Sequence, residues 1–313
     1  MAQILGIDTS NYTTSAALLD LETGEVHQEK QLLPVKAGEA GLRQSDAVFH
    51  HTRQLPELLE RLRPFLAENP VCGVSVSTRP RNVAGSYMPC FLAGVCEAKT
   101  LASVLGAEYM EFSHQQGHLA AAAWSAGRED LLDQPFLAWH LSGGTTELLL
   151  VQPKNGVPYA EKIGGTTDIS AGQLLDRTGV LLGLPFPAGK YVDELYYRAD
   201  STSSFRVKVN ELYFSLSGVE NKVKSLREMG ETEANIARFA VDTVVGAVYR
   251  VTNAAKKMYP GLPVLCSGGV ASNSVLRSVL QDTVFALPEY SRDNAMGIAV
   301  LARRVWESRE AQR

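Results

Sequence analysis

The chain has 313 residues, 45% of them hydrophobic and 20% charged, the balance of a soluble globular enzyme with one large core or two ordinary ones. A formal charge of -4 and a pI near 5.9 exclude a strongly electrostatic DNA-binding surface, while leaving room for a local basic patch. Cys72, Cys90, Cys96 and Cys266 form no CxxC pair and read as reduced thiols. With no basic leader and no apolar run of about 18 residues, the expected compartment is the cytoplasm, with no membrane partner.

Strand-like ILGID, a polar turn TSNYTT, strand-like SAALLDL and EVHQEKQ predict two successive hairpins at the N-terminus. The helical stretch QLPELLERLRPFLAE, the strand VCGVSVS and the helix FLAGVCEAKTLASVLG follow. The hairpin phrase then recurs. A shift of 132 residues lays Ile4–Lys30 over Phe136–Lys162 with eight identities in 27 positions, among them Ser10/Ser142, Thr13/Thr145, Leu18/Leu150 and Gly24/Gly156. The second copy leads into a stretch interrupted by Pro185, Pro187 and Gly189, which reads as an insertion over about residues 168–235. A long helix follows, then the strand PVLCSGG, a helix from about Asn273, the strand TVFALPE and a final helix opening at Asp293. The pattern predicts an α/β fold of two duplicated lobes with mixed sheets. The first spans residues 1–112 and the second 113–313, with the last helix packing back on the first lobe.

His114 and His118 stand four apart in FSHQQGHLAAAAW, on one face of a helical turn whose start is marked by the Ser113-x-x-Gln116 capping box. Either they share a metal ion, or one is a solvated cap-side residue and the other packs against the alanines. The turn at Leu141–Thr146 is a phosphate cradle or an ordinary Gly-Gly hairpin, and its first-lobe counterpart is Asp8–Thr14. In CSGGVASNSVLR, Asn273 reaches a ribose or base edge or caps the helix. Asp176 suits the two hydroxyls of a ribose or is a solvated helix residue, and Asp293 caps the last helix or points its carboxylate into a cleft. His50 and His51 read as surface residues, and the basic run Lys222–Arg227 as a solvated helix face or an RNA contact.

Taken in order, GIDTS at Gly6–Ser10, HQQGH at His114–His118, LSGGT at Leu141–Thr145, LLDRTGVLLGLPFPAG at Leu174–Gly189, FSLSGV at Phe214–Val219, SGGVASN at Ser267–Asn273 and RDNAMGIA at Arg292–Ala299 resemble one family nearly end to end. This is the universal tRNA threonylcarbamoyladenosine transferase family, once misnamed O-sialoglycoprotein endopeptidase, of the actin, sugar kinase and Hsp70 ATPase fold group. The resemblance implies a metal, Fe2+ or Zn2+, one per subunit, on His114, His118 and Asp293, with Asp8 joining them in the catalytic set. It implies an adenine nucleotide (ATP, AMP or threonylcarbamoyl-AMP) held by Ser142, Gly143, Gly144, Thr145, Asp176, Gly189, Asp193, Gly269 and Asn273. The implied acceptor is the adenosine beside the anticodon of ANN-decoding tRNA. The implied partners are tRNA and other threonylcarbamoylation proteins, a catalytically inactive paralogue among them; no DNA is expected.

The sequence departs from the family pattern in places. Asn11, Tyr12 and Thr13 replace its Cys-Asp-Glu turn, Ser77–Ser86 replaces its glycine-proline-glycine loop, Gln116 stands at an acidic position, and Thr145 replaces a histidine. These changes fall on the acceptor side more than on the metal and nucleotide positions, as in a divergent paralogue that transfers to another acceptor or serves as a nucleotide-binding scaffold. A metallopeptidase of the HExxH kind needs a glutamate beside the first histidine, where this chain has Gln115.

Overall fold

The computed structural model describes residues 2–10, 12–34, 42–66, 69–291 and 295–311. In chain order they form β1 (Gln3–Asp8), β2 (Thr13–Asp20), β3 (Val26–Leu32), α1 (Gln44–Leu66), β4 (Val71–Arg79), α2 (Phe91–Leu105), β5 (Glu108–Ser113), α3 (His114–Ser125), β6 (Phe136–Leu141), β7 (Thr146–Lys154), β8 (Val157–Thr166) and α4 (Ala171–Leu181). There follow α5 (Gly189–Tyr196), β9 (Val209–Asn210), β10 (Tyr213–Phe214), α6 (Ser217–Glu228), α7 (Glu233–Met258), β11 (Val264–Ser267), α8 (Ser274–Val279), β12 (Thr283–Phe285) and α9 (Met296–Glu310). Two units emerge: Met1–Gln134 with Gln152–Ala160 and Arg292–Arg313, and Pro135–Val151 with Glu161–Ser291.

The first unit is built on a five-stranded sheet ordered β3-β2-β1-β4-β5, antiparallel from β3 to β1 and parallel beyond. Because side chains alternate along a strand, Leu5 and Ile7 of β1 enter the core formed with Leu55 and Leu62 of α1 and Ala98 of α2. Ile4, Gly6 and Asp8 take the opposite face. There α9 lies so close that a Cβ on Gly6 would stand 2.6 Å from the carbonyl oxygen of Ala295. The α3 and α9 helices cross just as tightly: a Cβ on Gly117 would stand 2.8 Å from Cδ1 of Ile298, and one on Gly297 would overlap the Gly117 carbonyl. The α9 helix opens at Met296 with Ala295 as its N-cap, and the Met296 N–H donates to Oε1 of Gln28 at 3.1 Å. The expected start at Asp293 lies outside the described residues.

His51 corrects one expectation, for it is fully buried. It shares a helical stripe with Ala47, Gln54, Leu55, Leu58 and Leu62, and its Nδ1 lies 2.8 Å from Oγ1 of Thr14. The Thr14 hydroxyl donates its one proton to Oε1 of Gln54 at 2.6 Å, so His51 donates from Nδ1. Thr14→Val keeps the shape of the residue and removes both bonds; in chemical denaturation it is expected to lower stability by about 2 kcal/mol. An unchanged midpoint would show that the network adds nothing.

The second unit carries a seven-stranded sheet ordered β12-β11-β6-β7-β8-β10-β9. The duplication read from the sequence is present in the hydrogen-bond register: the pair Ile4↔Leu19 in the first copy becomes Phe136↔Val151 in the second, and Leu5↔Leu18 becomes Leu137↔Leu150. Leu137, Trp139 and Leu141 of β6 face the core that α7 fills with Val241, Val244 and Val248, and Trp139 Nε1 donates to Oγ1 of Thr252 at 2.9 Å. No helix among the described residues is long and apolar enough to cross a membrane.

Candidate active site

In the first unit, β5 runs directly into α3, and the junction is fixed by the expected capping box. Ser113 Oγ accepts from the Gln116 N–H at 3.3 Å, and Gln116 Oε1 accepts from the Ser113 N–H at 2.8 Å. Gln116 also donates to the Pro158 carbonyl at 3.0 Å. The helix therefore presents His114 and His118 on its first turn, their rings at 75° and their Nε2 atoms 2.9 Å apart.

Behind His114 lies Asp8, completely buried at the end of β1. Its carboxylate accepts from Ser10 Oγ at 2.8 Å and from Ser77 Oγ of β4, and it sits 3.2 Å from Nδ1 of His114. A carboxylate on Nδ1 leaves Nε2 as the lone-pair nitrogen and fixes the ring, the arrangement found behind metal-bound histidines. Two nitrogens on one ion at about 2.1 Å and roughly a right angle stand about 3 Å apart, so the histidine pair fits a metal. Among the described residues no three His, Cys, Asp or Glu side chains form a metal-holding group. Asp293 lies outside the described residues.

In the second unit, the two glycine turns end neighbouring parallel strands, since Ser267 of β11 pairs with His140 of β6. The C-terminal ends of parallel strands are where α/β sheets hold ligands. The first turn is closed by Ser142 N–H to the Thr145 carbonyl at 2.8 Å and by Thr145 N–H to Ser142 Oγ at 3.1 Å. Against it stands α4. Its N-cap Ser170 donates to the Gly143 carbonyl at 2.7 Å, and a Cβ on Gly172 would overlap the Ser142 carbonyl. In the second turn Gly268 adopts φ +96°, and a Cβ there would overlap the Leu141 carbonyl, which brings the two turns together.

Asp176 accepts the Ala188 N–H at 2.8 Å and so ties α4 to the start of α5. Asp193 receives Asn273 Nδ2 at 2.8 Å and Ser274 Oγ at 2.9 Å, while Asn273 Oδ1 caps α8 through the Leu276 N–H at 2.9 Å. Of the two readings of Asn273, the structure displays the cap.

The glycines divide by what requires them. Among the described residues, only Gly143, Gly144, Gly189, Gly218 and Gly269 have neither a left-handed φ nor any atom within 4 Å of an added Cβ. Neither backbone nor packing asks for glycine there, and four of the five are the glycines expected to face a nucleotide. The space above these positions leaves room for a bound group to approach the backbone closely.

Sequence reasoning gave no role to four residues of this region. Ser170 and Gln173 repeat the Ser-x-x-Gln capping box of Ser113 and Gln116, a signal present in the sequence. Gly218 stands inside the motif FSLSGV with open space above it. Asp168 binds the N-terminus of α6 through the Ser215 hydroxyl and the N–H groups of Leu216 (2.8 Å) and Ser217 (3.2 Å). Burial would push its carboxyl up, but these donors hold it well below the usual carboxylate range.

Residues 37–300 match the TsaD family model, tRNA N6-adenosine threonylcarbamoyltransferase. The enzyme of that name from Lactococcus lactis subsp. cremoris (strain MG1363) is 28% identical over 333 residues, covering 97% of this chain and 92% of its own. Its counterpart from Thermus thermophilus is 32% identical over 311 residues, covering 96% and 92%. Among solved structures, (R)-2-hydroxyglutaryl-CoA dehydratase component A from Acidaminococcus fermentans superposes with a TM-score of 0.56 at 17% identity over 100% of both chains. That likeness bears on the fold alone, the actin-like ATPase arrangement of duplicated α/β lobes.

Proposed function

The chain belongs to the tRNA N6-adenosine threonylcarbamoyltransferase family and is a transferase, and from that membership we propose that it moves a threonylcarbamoyl group from threonylcarbamoyl-AMP to the adenosine beside the anticodon of ANN-decoding tRNA. The amino nitrogen N6 attacks the carbamoyl carbon, the bond from that carbon to the phosphate oxygen breaks, AMP leaves, and one proton passes from N6 to solvent.

The observation that carries the donor half is the set of glycines required by neither conformation nor packing, Gly143, Gly144, Gly189 and Gly269. In the proposed roles, the turn from Ser142 to Thr145 receives the phosphate through backbone N–H groups, and Asp176 and Asp193 hold the α4, α5 and α8 segments that shape the nucleoside site. Asn273 acts through its bond to Asp193. His114 and His118 would hold a metal, Fe2+ or Zn2+, with Asp293 as third ligand; when bound it supplies Lewis-acid polarisation of the carbamoyl group or phosphate. Asp8 is a positioning residue, fixing the tautomer and orientation of His114.

The turn at Tyr12 and Thr13 lacks the family's acidic groups, which favours a second reading, transfer to a different acceptor. Purified protein, threonylcarbamoyl-AMP, the other threonylcarbamoylation proteins and an ANN-decoding tRNA are expected to yield threonylcarbamoyladenosine, detected by mass spectrometry of the digested nucleosides. Release of AMP with no modified nucleoside would replace the tRNA reading with the second one.

A further inference from the structure

The basic run Lys222–Arg227 is divided by its surroundings. Lys224 pairs with Glu220 at 2.9 Å and Arg227 with Glu233 at 3.7 Å, so these two belong to a solvated, neutralised helix face. Lys222 does not. Its ammonium lies 4.6 Å over the ring of Phe205, a half-exposed aromatic on the segment ahead of β9. The next residue is Arg206, exposed, and beside it stands Arg250 of α7, which donates to the Val207 carbonyl at 3.0 Å. Among the described residues no carboxylate pairs with Arg206, Lys222 or Arg250. Burial and then the charge of Arg206 push the Arg250 guanidinium below its usual range, as expected for two cations held side by side.

We propose that Phe205, Arg206, Lys222 and Arg250 form a docking patch for the sugar-phosphate backbone of RNA, an inference that rests on tRNA being the acceptor. Three cations without a carboxylate repel one another, and a phosphate relieves that repulsion. The Arg250 fork is already oriented by the Val207 carbonyl, and guanidinium forks match phosphate oxygens in pairs. The Phe205 ring offers a flat face on which an unpaired base stacks. The chain as a whole carries a charge of -4, so its average field repels RNA and places the weight of docking on local clusters of this kind.

The test is a fluorescence-anisotropy titration of labelled tRNA at several salt concentrations. It compares the unsubstituted protein, the double variant Arg206→Gln/Lys222→Gln, and Lys224→Gln, which removes an already paired lysine from the same helix. The double variant is expected to bind about tenfold or more weakly, with its salt slope reduced by about 1 to 2, while Lys224→Gln stays within about twofold. Thermal melts and AMP binding are expected to be unchanged, which separates docking from folding and from the donor site. An unaltered slope in the double variant overturns the patch, as does an equal loss in Lys224→Gln or a failure of the unsubstituted protein to bind any RNA. Binding of poly-glutamate that depends on these residues, with tRNA binding independent of them, also overturns it in favour of an acidic protein partner. The transfer reading fails separately, when no modified nucleoside forms whatever the anisotropy shows.

Discussion

His114→Ala is expected to lower threonylcarbamoyl transfer by about 10²-fold to 10³-fold, the effect of removing a few kcal/mol of Lewis-acid stabilisation. Loaded with Fe2+ or Zn2+, the unsubstituted protein is expected to retain the metal and the variant to lose it, measured by elemental analysis. Retention of metal and rate would remove the histidine pair from the mechanism. Asp8→Asn separates the two parts of the arrangement, because it leaves both imidazoles in place while weakening the group that holds His114 by Nδ1 and receives the hydroxyls of Ser10 and Ser77. Its metal affinity is expected to fall by roughly 10-fold to 100-fold, with activity recovered at high metal concentration. Added metal is not expected to rescue His114→Ala. Equal rescue of both would mean that Asp8 does not act through the ring.

Gly268→Ala is expected to disturb both folding and nucleotide binding, and Gly269→Ala nucleotide binding alone. At Gly268 the backbone φ is positive and the new Cβ meets the Leu141 carbonyl, part of a strand that cannot swing aside. The conformation, a positive-φ extended region open essentially to glycine, costs about 1–3 kcal/mol and the overlap about 1–3 kcal/mol more, so unfolding by denaturant shifts well below that of the unsubstituted protein. At Gly269 nothing lies within 4 Å, so the unfolding midpoint stays in place. Calorimetric titration with AMP is expected to show weakening of about tenfold or more for both. If Gly269→Ala binds AMP normally, the open space above this turn is not where the nucleotide lies.

Much of this is legible in the sequence. The two hairpin copies were visible because their turn residues and strand alternation recur at a constant offset, and register follows directly from turn position. The α3 start was legible because Ser113 and Gln116 have a local mechanism, hydrogen bonds within four residues. Ser170 and Gln173 carry the same local signal at the start of α4.

What sequence could not supply depends on contacts far apart in the chain. Ser77 reaches Asp8 across 69 residues and Asn273 reaches Asp193 across 80, and no periodicity encodes either. The polarity of His51 points to the surface, whereas its place on the helical stripe with Ala47, Leu55 and Leu58 buries it. Its partners Thr14 and Gln54 become visible only once β2 lies beside α1. The distinction between Gly268 and Gly269, adjacent and identical in sequence, exists only in space.

The first unit is discontinuous in sequence, and its β1 face carrying Ile4, Gly6 and Asp8 is covered by α9, supplied by residues 296–310. During synthesis from the N-terminus, that strand emerges early and waits for almost the whole remaining chain before its cover arrives. Every segment of the second unit leaves the ribosome in the interval. The nascent protein thus holds a half-dressed sheet in front of a unit free to fold ahead of it. A stop codon placed before residue 296 would leave that sheet permanently bare, with the aggregation and proteolysis that uncovered apolar surface invites.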